Sequence, residues 1–489
     1  MKKNSNYLSK IKFLLSEKHK KKILLIICLA VLVLILELFG LGLIIPVITI
    51  FVDYESIHDY EILSILFLYL NEPTQYQLIV YSVVSILIFF LIKTIVVSYV
   101  LYQQIKFVLE SQSGISLRLF QNYLKLNYES FNKLNSSLLM KNIIKESQLF
   151  AMNCIQPIIL ISSEIMIFIG IIIFLLIIEP MGTLISFTCL ILPGLFFYKI
   201  SKNKLVKWGS NRMSFDEKRF QLIQDSFGAF KIISIFKKEN FFLKRYDEYN
   251  QGSANQDSKL RFVDKFPRLL LELFAILGLS SLLLALLYQN VQFEKIIPTI
   301  GLFAFAVFRI MPSMNRILSQ FTSLKFSDSV VDELYDTLKD DVNLKEEQEA
   351  INLKKKKSIS YFHNEISLVN ISFKYNESKN YIFKDINLKI KKSSKIAIVG
   401  SSGNGKSTLL DLILGVLKPT KGQVCYDDND ILNKKLNYQK LIGYIPQSIF
   451  LLDDSIKNNI CFAVDKNEID NQKLENAIKN SALFDYINS

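Results

Sequence analysis

Apolar residues form six long runs in the first two thirds of the chain, and charged segments separate these runs. The runs lie at roughly 23–52, 77–102, 152–178, 182–200, 269–289 and 296–321. A helix of about 20 apolar residues crosses the roughly 30 Å hydrocarbon core of a bilayer. The core of a water-soluble domain does not take up several apolar runs of this length with so few charges. The pattern therefore predicts an all-α transmembrane domain of six long helices.

The charge of the connecting segments alternates along the chain. Lysine and arginine are frequent before the first run and throughout 103–151 and 201–267. The segment 53–74 has five acidic residues and no cation, and the loop at 179–182 has no cation either. Because cytoplasmic loops carry the excess of Lys and Arg, we expect a multi-pass protein of the inner (plasma) membrane with both termini in the cytoplasm. The apolar segment 61–70 is too short to span and is expected to lie along the outer interface.

Beyond about residue 325 the pattern changes to that of a water-soluble domain. Residues 326–365 are predicted to form a helical extension followed by a lysine-rich linker. After residue 366, the stretches "ISLVNISFKY" and "IFKDINLKI" alternate apolar and polar residues, as half-buried strands do. The predicted organisation is a transmembrane domain over 1–325, the connector over 326–365, and an α/β domain over 366–489.

A glycine-rich loop lies within this last domain, between the apolar run "KIAIV" at 395–399 and a predicted helix. The loop fits G-x-x-x-x-G-K-[ST] without a gap, and a strand before it with a helix after it is the context that confirms such a motif. Glycines let backbone N–H groups turn inward towards phosphates, and the helix N-terminus adds partial positive charge. Lys406 would bind the β and γ phosphates, and Ser407 would offer its hydroxyl to Mg²⁺. The predicted nucleotide-binding residues here are Gly400, Ser401, Gly403, Asn404, Gly405, Lys406, Ser407 and Thr408.

Composition adds two constraints on function. The formal net charge is +13, and the lysines occur where a membrane protein of this topology needs them, so we expect contact with anionic lipid and not with nucleic acid. The five cysteines are scattered without a CxxC pair, and there are only three histidines. The sequence therefore predicts neither a disulfide framework nor a His/Cys metal site.

Two residues outside the loop match residues of a known protein family. Tyr375, in "SFKY", matches the aromatic residue on which adenine stacks in ATP-binding cassette proteins. Gln447, in "IGYIPQSIFLLDDSIKNNI", matches the glutamine that reaches Mg²⁺ and the attacking water in that family, so it is the candidate catalytic residue. With six spans before a P-loop domain, nearly the whole chain resembles an ABC exporter half-transporter. The fold class that this resemblance implies is an all-α transmembrane domain plus a partial α/β P-loop NTPase domain.

The resemblance also implies partners and a mechanism. Two halves, as a homodimer or a heterodimer, would sandwich two ATP molecules with Mg²⁺ and alternate between inward- and outward-facing states. The stretches at about 128–137 and 223–232 resemble the coupling helices that dock on the cassettes, although both are also compatible with ordinary surface turns.

The family's cassette continues, after the glutamine, through an LSGGQ-like signature, an acidic strand that ends in Asp-Glu, and a switch histidine. None of these follows Gln447 in the sequence, and "IFLLDD" at 449–454 comes too soon after it to be the acidic strand. We expect the sequence to be C-terminally truncated, with a naturally degenerate cassette as the rival explanation. The intact parent is expected to hydrolyse ATP, and the chain as written to bind ATP weakly and hydrolyse it negligibly.

Charges within the spans bear on the substrate. Lys93, Arg268 and Arg309 lie in or at the ends of spans two, five and six, and a charge in mid-bilayer costs about 2.5–3.5 kcal/mol on insertion scales. They could line a cavity that captures an anionic head group, or snorkel to the cytoplasmic surface. Glu37 and Glu164 could pair with these cations or face the cavity themselves.

Short sequences narrow the resemblance within the exporters. "ELFGLGLIIPVI", "FRIMPSMNRI" and "LLDLILGVLKPTKG" resemble the lipid-linked oligosaccharide flippase branch, whose substrates carry a pyrophosphate. The expected function is an ATP-driven flippase of an amphipathic, anionic, lipid-linked substrate. Two alternatives stay open: a peptide or multidrug exporter, and a nucleotide-binding membrane protein without transport activity.

Overall fold

The computed structural model describes residues 7–43, 74–178, 180–289, 293–339, 362–375, 378–427, 429–431 and 441–488. The outer segment predicted at 61–70, the end of span one beyond 43 and the linker at 340–361 lie outside these residues. The chain divides into two compact units, Met1–Leu353 and Lys354–Ser489, which are described separately.

Unit 1 is helical throughout its described residues. Among the described residues, six long helices coincide with most of each predicted span, the first of which is described only as far as residue 43, and shorter helices lie between several of them. The long helices are α2 (Glu17–Gly42), α3 (Gln75–Lys125), α7 (Gln156–Ile178), α8 (Pro180–Gly228), α10 (Glu239–Tyr288) and α11 (Phe293–Phe326). The shorter ones are α1 (Tyr7–Leu14), α4 (Tyr128–Asn132), α5 (Ser136–Lys141), α6 (Ser147–Phe150), α9 (Phe230–Phe236) and α12 (328–339). The prediction of a six-helix membrane domain is confirmed at the level of fold class.

Length and composition identify four stretches of the described residues that could cross a membrane. They are Lys21–Gly40, Tyr76–Lys125, Ser136–Ile177 and Glu239–Tyr288. Along α3 the large apolar side chains of Leu87, Leu91 and Ile95 are exposed, which suits a surface covered by lipid rather than water. α3 has 51 residues, roughly 75 Å at 1.5 Å per residue, so it extends well past a bilayer core.

Two larger apolar clusters and one smaller one stabilise the described part of unit 1, and the smaller cluster joins α10 to α11. The first joins α1, α3, the segment between α6 and α7, and α12, through residues such as Leu14, Leu119 and Leu334. The second joins α7, α10 and α11 through residues such as Ile171 and Ile310. α8 approaches the end of α11 so closely that a Cβ on Gly209 would stand 1.7 Å from the carbonyl oxygen of Phe326. Only glycine fits at that crossing.

A buried ionic network links the charged ends of these helices. Arg212 on α8 lies 3.0 Å from Asp216 and 3.8 Å from Glu146, which ends the π-helical turn Asn142–Glu146. Lys145 approaches Asp216 to 2.7 Å, and Ser253 on α10 donates to the same carboxylate at 2.9 Å. Burial alone would raise the pKa of Asp216, but the hydrogen bond from Lys145 and the charges of Lys145 and Arg212 lower it below its ordinary value. The network therefore fixes how α8 and α10 meet the π-helical segment.

Unit 2 contains a four-stranded antiparallel sheet in the order β2-β1-β3-β4. Its strands are β1 (Glu365–Phe373), β2 (Phe383–Lys391), β3 (Lys421–Tyr426) and β4 (Asn429–Asp430). The helices of unit 2 are α13 (Lys406–Ile413), α14 (Ile456–Ile460), α15 (Asn471–Asn480) and α16 (Phe484–Asn488). α13 packs on the sheet through Leu412 and Ile413, which join Leu368 and Val424 in one core. The two alternating stretches predicted as strands are confirmed as β1 and β2, and the predicted helix after the glycine loop is confirmed as α13.

The strand predicted at 395–399 is wrong for this structure. Residues 394–400 form no ladder with any strand of the described sheet, and Val399 is 89 % exposed. A strand exists only through hydrogen bonds to a neighbour, and an apolar run cannot supply that neighbour by itself. The described sheet has the order β2-β1-β3-β4, and residues 395–399 pair with neither of its edge strands, β2 and β4.

Replacing Asp216 by alanine should destabilise unit 1 by about 3–5 kcal/mol, because Arg212 would then lie buried without its nearest carboxylate. Asp225→Ala, an exposed change on the same helix, is the matched control. Denaturant unfolding in detergent micelles measures both. Since the pKa of Asp216 is lowered on folding, the wild-type advantage should hold above about pH 4 and vanish as the pH falls through the lowered value. Equal midpoints for the two variants would contradict the role of the network.

Candidate nucleotide-binding site

The glycine loop has the backbone shape that its sequence predicts. Gly403 has φ +86° and Gly405 has φ +76°, both in the left-handed region that glycine adopts without strain. The N–H of Asn404 reaches the carbonyl oxygen of Ser401 at 3.4 Å, so the loop turns back on itself between the two glycines. The loop residues from Ser401 to Asn404 are exposed, which leaves this turn open to a ligand.

The loop leads directly into the N-terminus of α13. Gly405 occupies the N-cap, and its carbonyl accepts the first helical hydrogen bond, from Leu409 at 2.9 Å. The first turn has no acidic residue and no side-chain cap. The N–H groups at this end are therefore available to an anion, and the helix dipole favours one.

Lys406 lies at the mouth of the loop. Its ammonium donates to the carbonyl oxygens of Gly400 and Ser401, each at 2.8 Å. These two bonds hold a full positive charge beside the exposed backbone N–H groups. Phosphate oxygens are stronger acceptors than neutral carbonyls, since hydrogen bonds between ionised groups are about twice as strong as neutral ones.

Tyr375 lies close to the loop although it is far from it in sequence. Its hydroxyl is 3.3 Å from the hydroxyl of Thr408 in the first turn of α13, and its ring meets Phe373 edge to face with 5.1 Å between ring centroids. The residue is 36 % exposed. Thr420 holds the chain just before it, because its hydroxyl accepts from the N–H of Lys374 at 3.1 Å. The sequence analysis does not identify Thr420. Its position just before β3 is the one sequence feature that could have indicated this contact.

Gln447 lies exposed in an irregular segment that precedes α14. Asn459 braces the following turn through its side chain, which bonds both the N–H of Leu452 at 2.8 Å and its carbonyl oxygen at 3.0 Å. No hydrogen bond joins Gln447 to Ser407 among the described residues. The structure thus groups the loop, Thr408 and Tyr375, and leaves the place of Gln447 in the site a prediction.

The donor set around the loop suits Mg²⁺. The hydroxyl of Ser407 is a hard oxygen ligand, and Mg²⁺ at phosphate sites takes few protein ligands and completes its shell with phosphate and water. The amide oxygen of Gln447 would be a second such ligand if Gln447 lies at the loop, as the sequence predicts. The described residues contain no cluster of three or more His, Cys, Asp or Glu that could hold a metal by itself. The residues present therefore fit a metal that arrives with a nucleotide.

The charges of the membrane helices form pairs that the sequence only partly indicated. Lys93 on α3 donates to Glu37 on α2 at 2.9 Å, and the two side chains are 13 % and 5 % exposed. Glu164 on α7 receives Arg316 of α11 at 2.6 Å and the hydroxyl of Ser313. Arg316 was not singled out from sequence, although it closes the same "FRIMPSMNRI" stretch.

The other two candidate substrate residues have different surroundings. Arg268 bonds Glu272 one turn along α10 at 2.9 Å, and both side chains are largely exposed. The side chain of Arg309 lies outside the described residues. The structure therefore gives contacts for two of the three proposed cations, and each of the two is paired with a carboxylate.

The two loop glycines make a matched pair for a test of the loop. An alanine at 405 would place its Cβ 2.7 Å from Ile382 and Phe383, whereas at 403 nothing lies within 4 Å. Both changes incur the strain of positive φ, about 1–2 kcal/mol. Gly405→Ala should therefore loosen the loop and the start of α13 more than Gly403→Ala does. Hydrogen exchange over 400–413 measures this, and equal protection in the two variants would contradict it.

Comparison with known proteins supports both halves of this description. Residues 23–309 match the family described as ABC transporter transmembrane region, and residues 383–488 match the family described as ABC transporter. An ATP-dependent lipid A-core flippase of Wigglesworthia glossinidia brevipalpis is 26 % identical over 365 residues, which cover 72 % of this chain and 59 % of the flippase. A protein of the same name from Nitrosococcus oceani is 24 % identical over 243 residues, 50 % of this chain and 39 % of its own length.

A third relative has a different printed function. The lactococcin-G-processing and transport ATP-binding protein LagD of Lactococcus lactis subsp. lactis is 35 % identical over 150 residues, 30 % of this chain and 20 % of its own length. The chain spans less than two thirds of the length of each of these relatives. The transmembrane family match covers more than half of the chain, and the helices and the glycine loop agree with both matches. The chain belongs to the ABC transporter family, with a membrane domain of the exporter type followed by sequence of the ATP-binding domain.

Proposed function

We propose that the whole protein is an ATP-driven exporter that flips an amphipathic, anionic, lipid-linked substrate across the inner membrane. The observation that carries this proposal is the union, in one chain, of six long helices, four of them apolar and long enough to cross a membrane within the described residues, with a glycine loop at the start of α13 whose shape suits phosphate. Both termini are proposed to lie in the cytoplasm, because the cations of 103–151 and 201–267 mark that side.

The chain's own residues suit the triphosphate of ATP. The N–H groups of Gly403 to Ser407 would bind phosphate oxygens, and Lys406 would exchange its two carbonyl acceptors for the β and γ phosphates. The ring of Tyr375 would stack on adenine once the nucleotide is in place. A bound Mg²⁺ would neutralise charge on the phosphates, with Ser407 as its ligand. Gln447 would orient the attacking water.

Coupling to the membrane would use the two stretches that resemble coupling helices. The first contains α4, whose N-cap Asn127 accepts from the N–H of Ser130 at 2.7 Å. The second contains the break between α8 and α9, where Phe227 and Phe230 are strongly exposed. Exposed aromatic residues on a tip of this kind suit a protein partner. The partner would be a cassette, either of this chain or of a second half that completes a homodimer or a heterodimer.

The charge pairs refine the proposal for the substrate. Lys93 and Glu37 form a closed pair, so an anionic head group would have to compete with a carboxylate 2.9 Å away for this lysine. Arg268 pairs with Glu272 on an exposed surface, where the pair contributes little to stability. Lys93, Arg268 and Arg309 stay our candidates for head-group binding, and Arg316 joins them because its guanidinium already binds one carboxylate, that of Glu164. The lipid A-core flippases among the relatives favour a lipid substrate.

Peptide export is the second candidate, because LagD is named for lactococcin-G processing and transport. The two functions differ in the cargo that stimulates ATP turnover. Proteoliposomes with the whole protein should show faster ATP hydrolysis with a polyprenyl-pyrophosphate glycan than with a hydrophobic peptide of equal charge. A stronger response to the peptide would favour the second candidate.

Lys406→Ala should weaken the binding of a fluorescent ATP analogue, with Mg²⁺ present, by about 10-fold to 100-fold, since a hydrogen bond to a charged group contributes about 1.5–3 kcal/mol. Lys395→Ala removes an exposed lysine from the segment before the loop and is the control. The measurement uses the full chain purified in detergent. Wild-type affinity in the Lys406 variant would show that the loop does not bind the triphosphate.

Lys93→Met should destabilise the protein by about 3–5 kcal/mol, because it removes the cation that neutralises buried Glu37, and Lys93→Met/Glu37→Gln should recover most of that loss. Flipping of a fluorescent pyrophosphate-linked lipid in proteoliposomes separates the role of Lys93 in stability from its proposed role in head-group binding. The stable double variant should remain slow if Lys93 binds the head group. Lys265→Ala, on the exposed side of α10, is the control, and Arg268→Ala and Arg309→Ala complete the set. Wild-type flipping in the double variant would remove Lys93 from the substrate site.

A further inference from the structure

A groove of about 520 Å³ lies between α8 and α10 in unit 1, and none of the residues in the charge pairs of the membrane helices lines it. The two helices present aromatic residues at one end of the groove and lysines at the other. Phe197 and Phe266 face each other across it at the first end, with 6.3 Å between ring centroids. Trp208 and Lys259 meet at the second end, where the ammonium lies 5.9 Å from the indole centroid.

The aromatic end forms an apolar wall that protein does not cover in this chain. Phe262 stacks on Phe266 with 5.7 Å between ring centroids, and it is nevertheless 67 % exposed. A cluster of large exposed aromatic residues would be unfavourable in contact with water. Hydrocarbon is the covering that suits such a wall on a membrane helix.

The lysine end is cationic and lacks a compensating acid. Lys204 and Lys259 both line the groove, and none of the residues lining it is acidic. Neither lysine forms a salt bridge with any residue in the ranges that the structure describes. An anion placed between them would meet two positive charges beside the Trp208 indole, with no carboxylate among the lining residues to oppose it.

The sequence places the groove at the edge of the membrane. The apolar run of α8 ends near residue 200, and that of α10 begins near residue 269, so the groove spans both transitions. Tryptophan is enriched at this depth of a bilayer, and lysine reaches from here to the headgroups. The phenylalanines thus lie on the hydrocarbon side, and the lysines lie on the side where an anionic leaflet concentrates negative charge.

We propose that this groove is a binding site for one anionic phospholipid. Its phosphate-bearing headgroup lies between Lys204 and Lys259 beside Trp208, and the upper part of an acyl chain lies on Phe197, Phe262 and Phe266. The volume falls within the roughly 300–1,000 Å³ typical of small-molecule sites. A soluble phosphate would leave the aromatic wall uncovered, and a choline headgroup would place its cation near two lysines. The site does not depend on the proposed transport activity, because it uses none of the residues assigned to nucleotide or substrate.

Trp208 is the only tryptophan of the chain, so its fluorescence reports on this groove alone. The full chain is reconstituted in nanodiscs of phosphatidylcholine that contain increasing fractions of brominated lipid, which quenches indole on contact. Brominated phosphatidylglycerol should reach half-maximal quenching at a mole fraction about 5-fold to 25-fold lower than brominated phosphatidylcholine does, because each lysine near anionic lipid contributes about fivefold. Inorganic phosphate in solution should not reduce the quenching.

Single-lysine variants test which cations carry the preference. Lys204→Gln and Lys259→Gln should each reduce the preference for phosphatidylglycerol about fivefold. Lys265→Gln should leave it unchanged, because that lysine is 85 % exposed on the same helix and does not line the groove. Circular dichroism of each variant verifies that the helices are intact.

Three results would overturn the proposal. Equal quenching by the two brominated lipids would mean that the groove receives lipid without regard to charge. An absence of quenching by either lipid would mean that something other than lipid, such as a second copy of the chain, covers it. Displacement of the brominated lipid by inorganic phosphate alone would mean that the lysines form an anion site that needs no acyl chain.

Discussion

The absence of water from the bilayer core is the constraint on which most of this chain's architecture depends. A backbone group or a charge without a partner there costs several kcal/mol, which favours a helical backbone and paired charges. Glu37 meets Lys93, and Glu164 meets Arg316, in both cases between different helices. Each pair therefore fixes which helices are neighbours as well as neutralising a charge. The exposed apolar side chains of α3 follow from the same constraint, because lipid covers them as well as protein would.

Unit 2 follows a different physical rule, because its loop has to remain accessible to water and to an anion. Positive φ at Gly403 and Gly405 turns the backbone so that the N-terminus of α13 is left without a protein cap. Lys406 is the one side chain of the loop that bonds back onto it, and it does so through weak neutral acceptors. The loop is thus held in shape by backbone geometry and leaves its charge for a ligand. Because the loop is held in this shape, an anion bound there would interact directly with the N-terminus of α13.

Sequence patterns predicted the parts of this structure that depend on neighbours along the chain. Hydrophobic runs located the six long helices, and the spacing of glycines located the loop. What they could not predict are relations between distant segments. The apolar run at 395–399 satisfies every local requirement for a strand and has no ladder, since a strand is made by its neighbour. Arg316 is unremarkable in sequence and becomes informative only when α7 brings Glu164 to it. The groove beside Trp208 likewise requires two residue sets about 60 positions apart.

The buried network around Arg212 shows how such distant relations give specificity at the expense of stability. Lys141 and Glu146 are fully buried, yet their charged atoms are 4.0 Å apart and form no hydrogen bond within the described residues. Buried charges in this geometry recover little of their desolvation cost, so apolar residues of similar size would give a more stable core. They would also allow α8 and α10 to slide along the π-helical segment, because apolar contacts have no preferred partner. The charges favour the register at which Arg212, Asp216 and Lys145 meet, because a shift would separate buried charges from their partners. The ends of these long helices lie outside the bilayer, which therefore does not fix their positions. The preference of the buried charges for one register holds the ends in place.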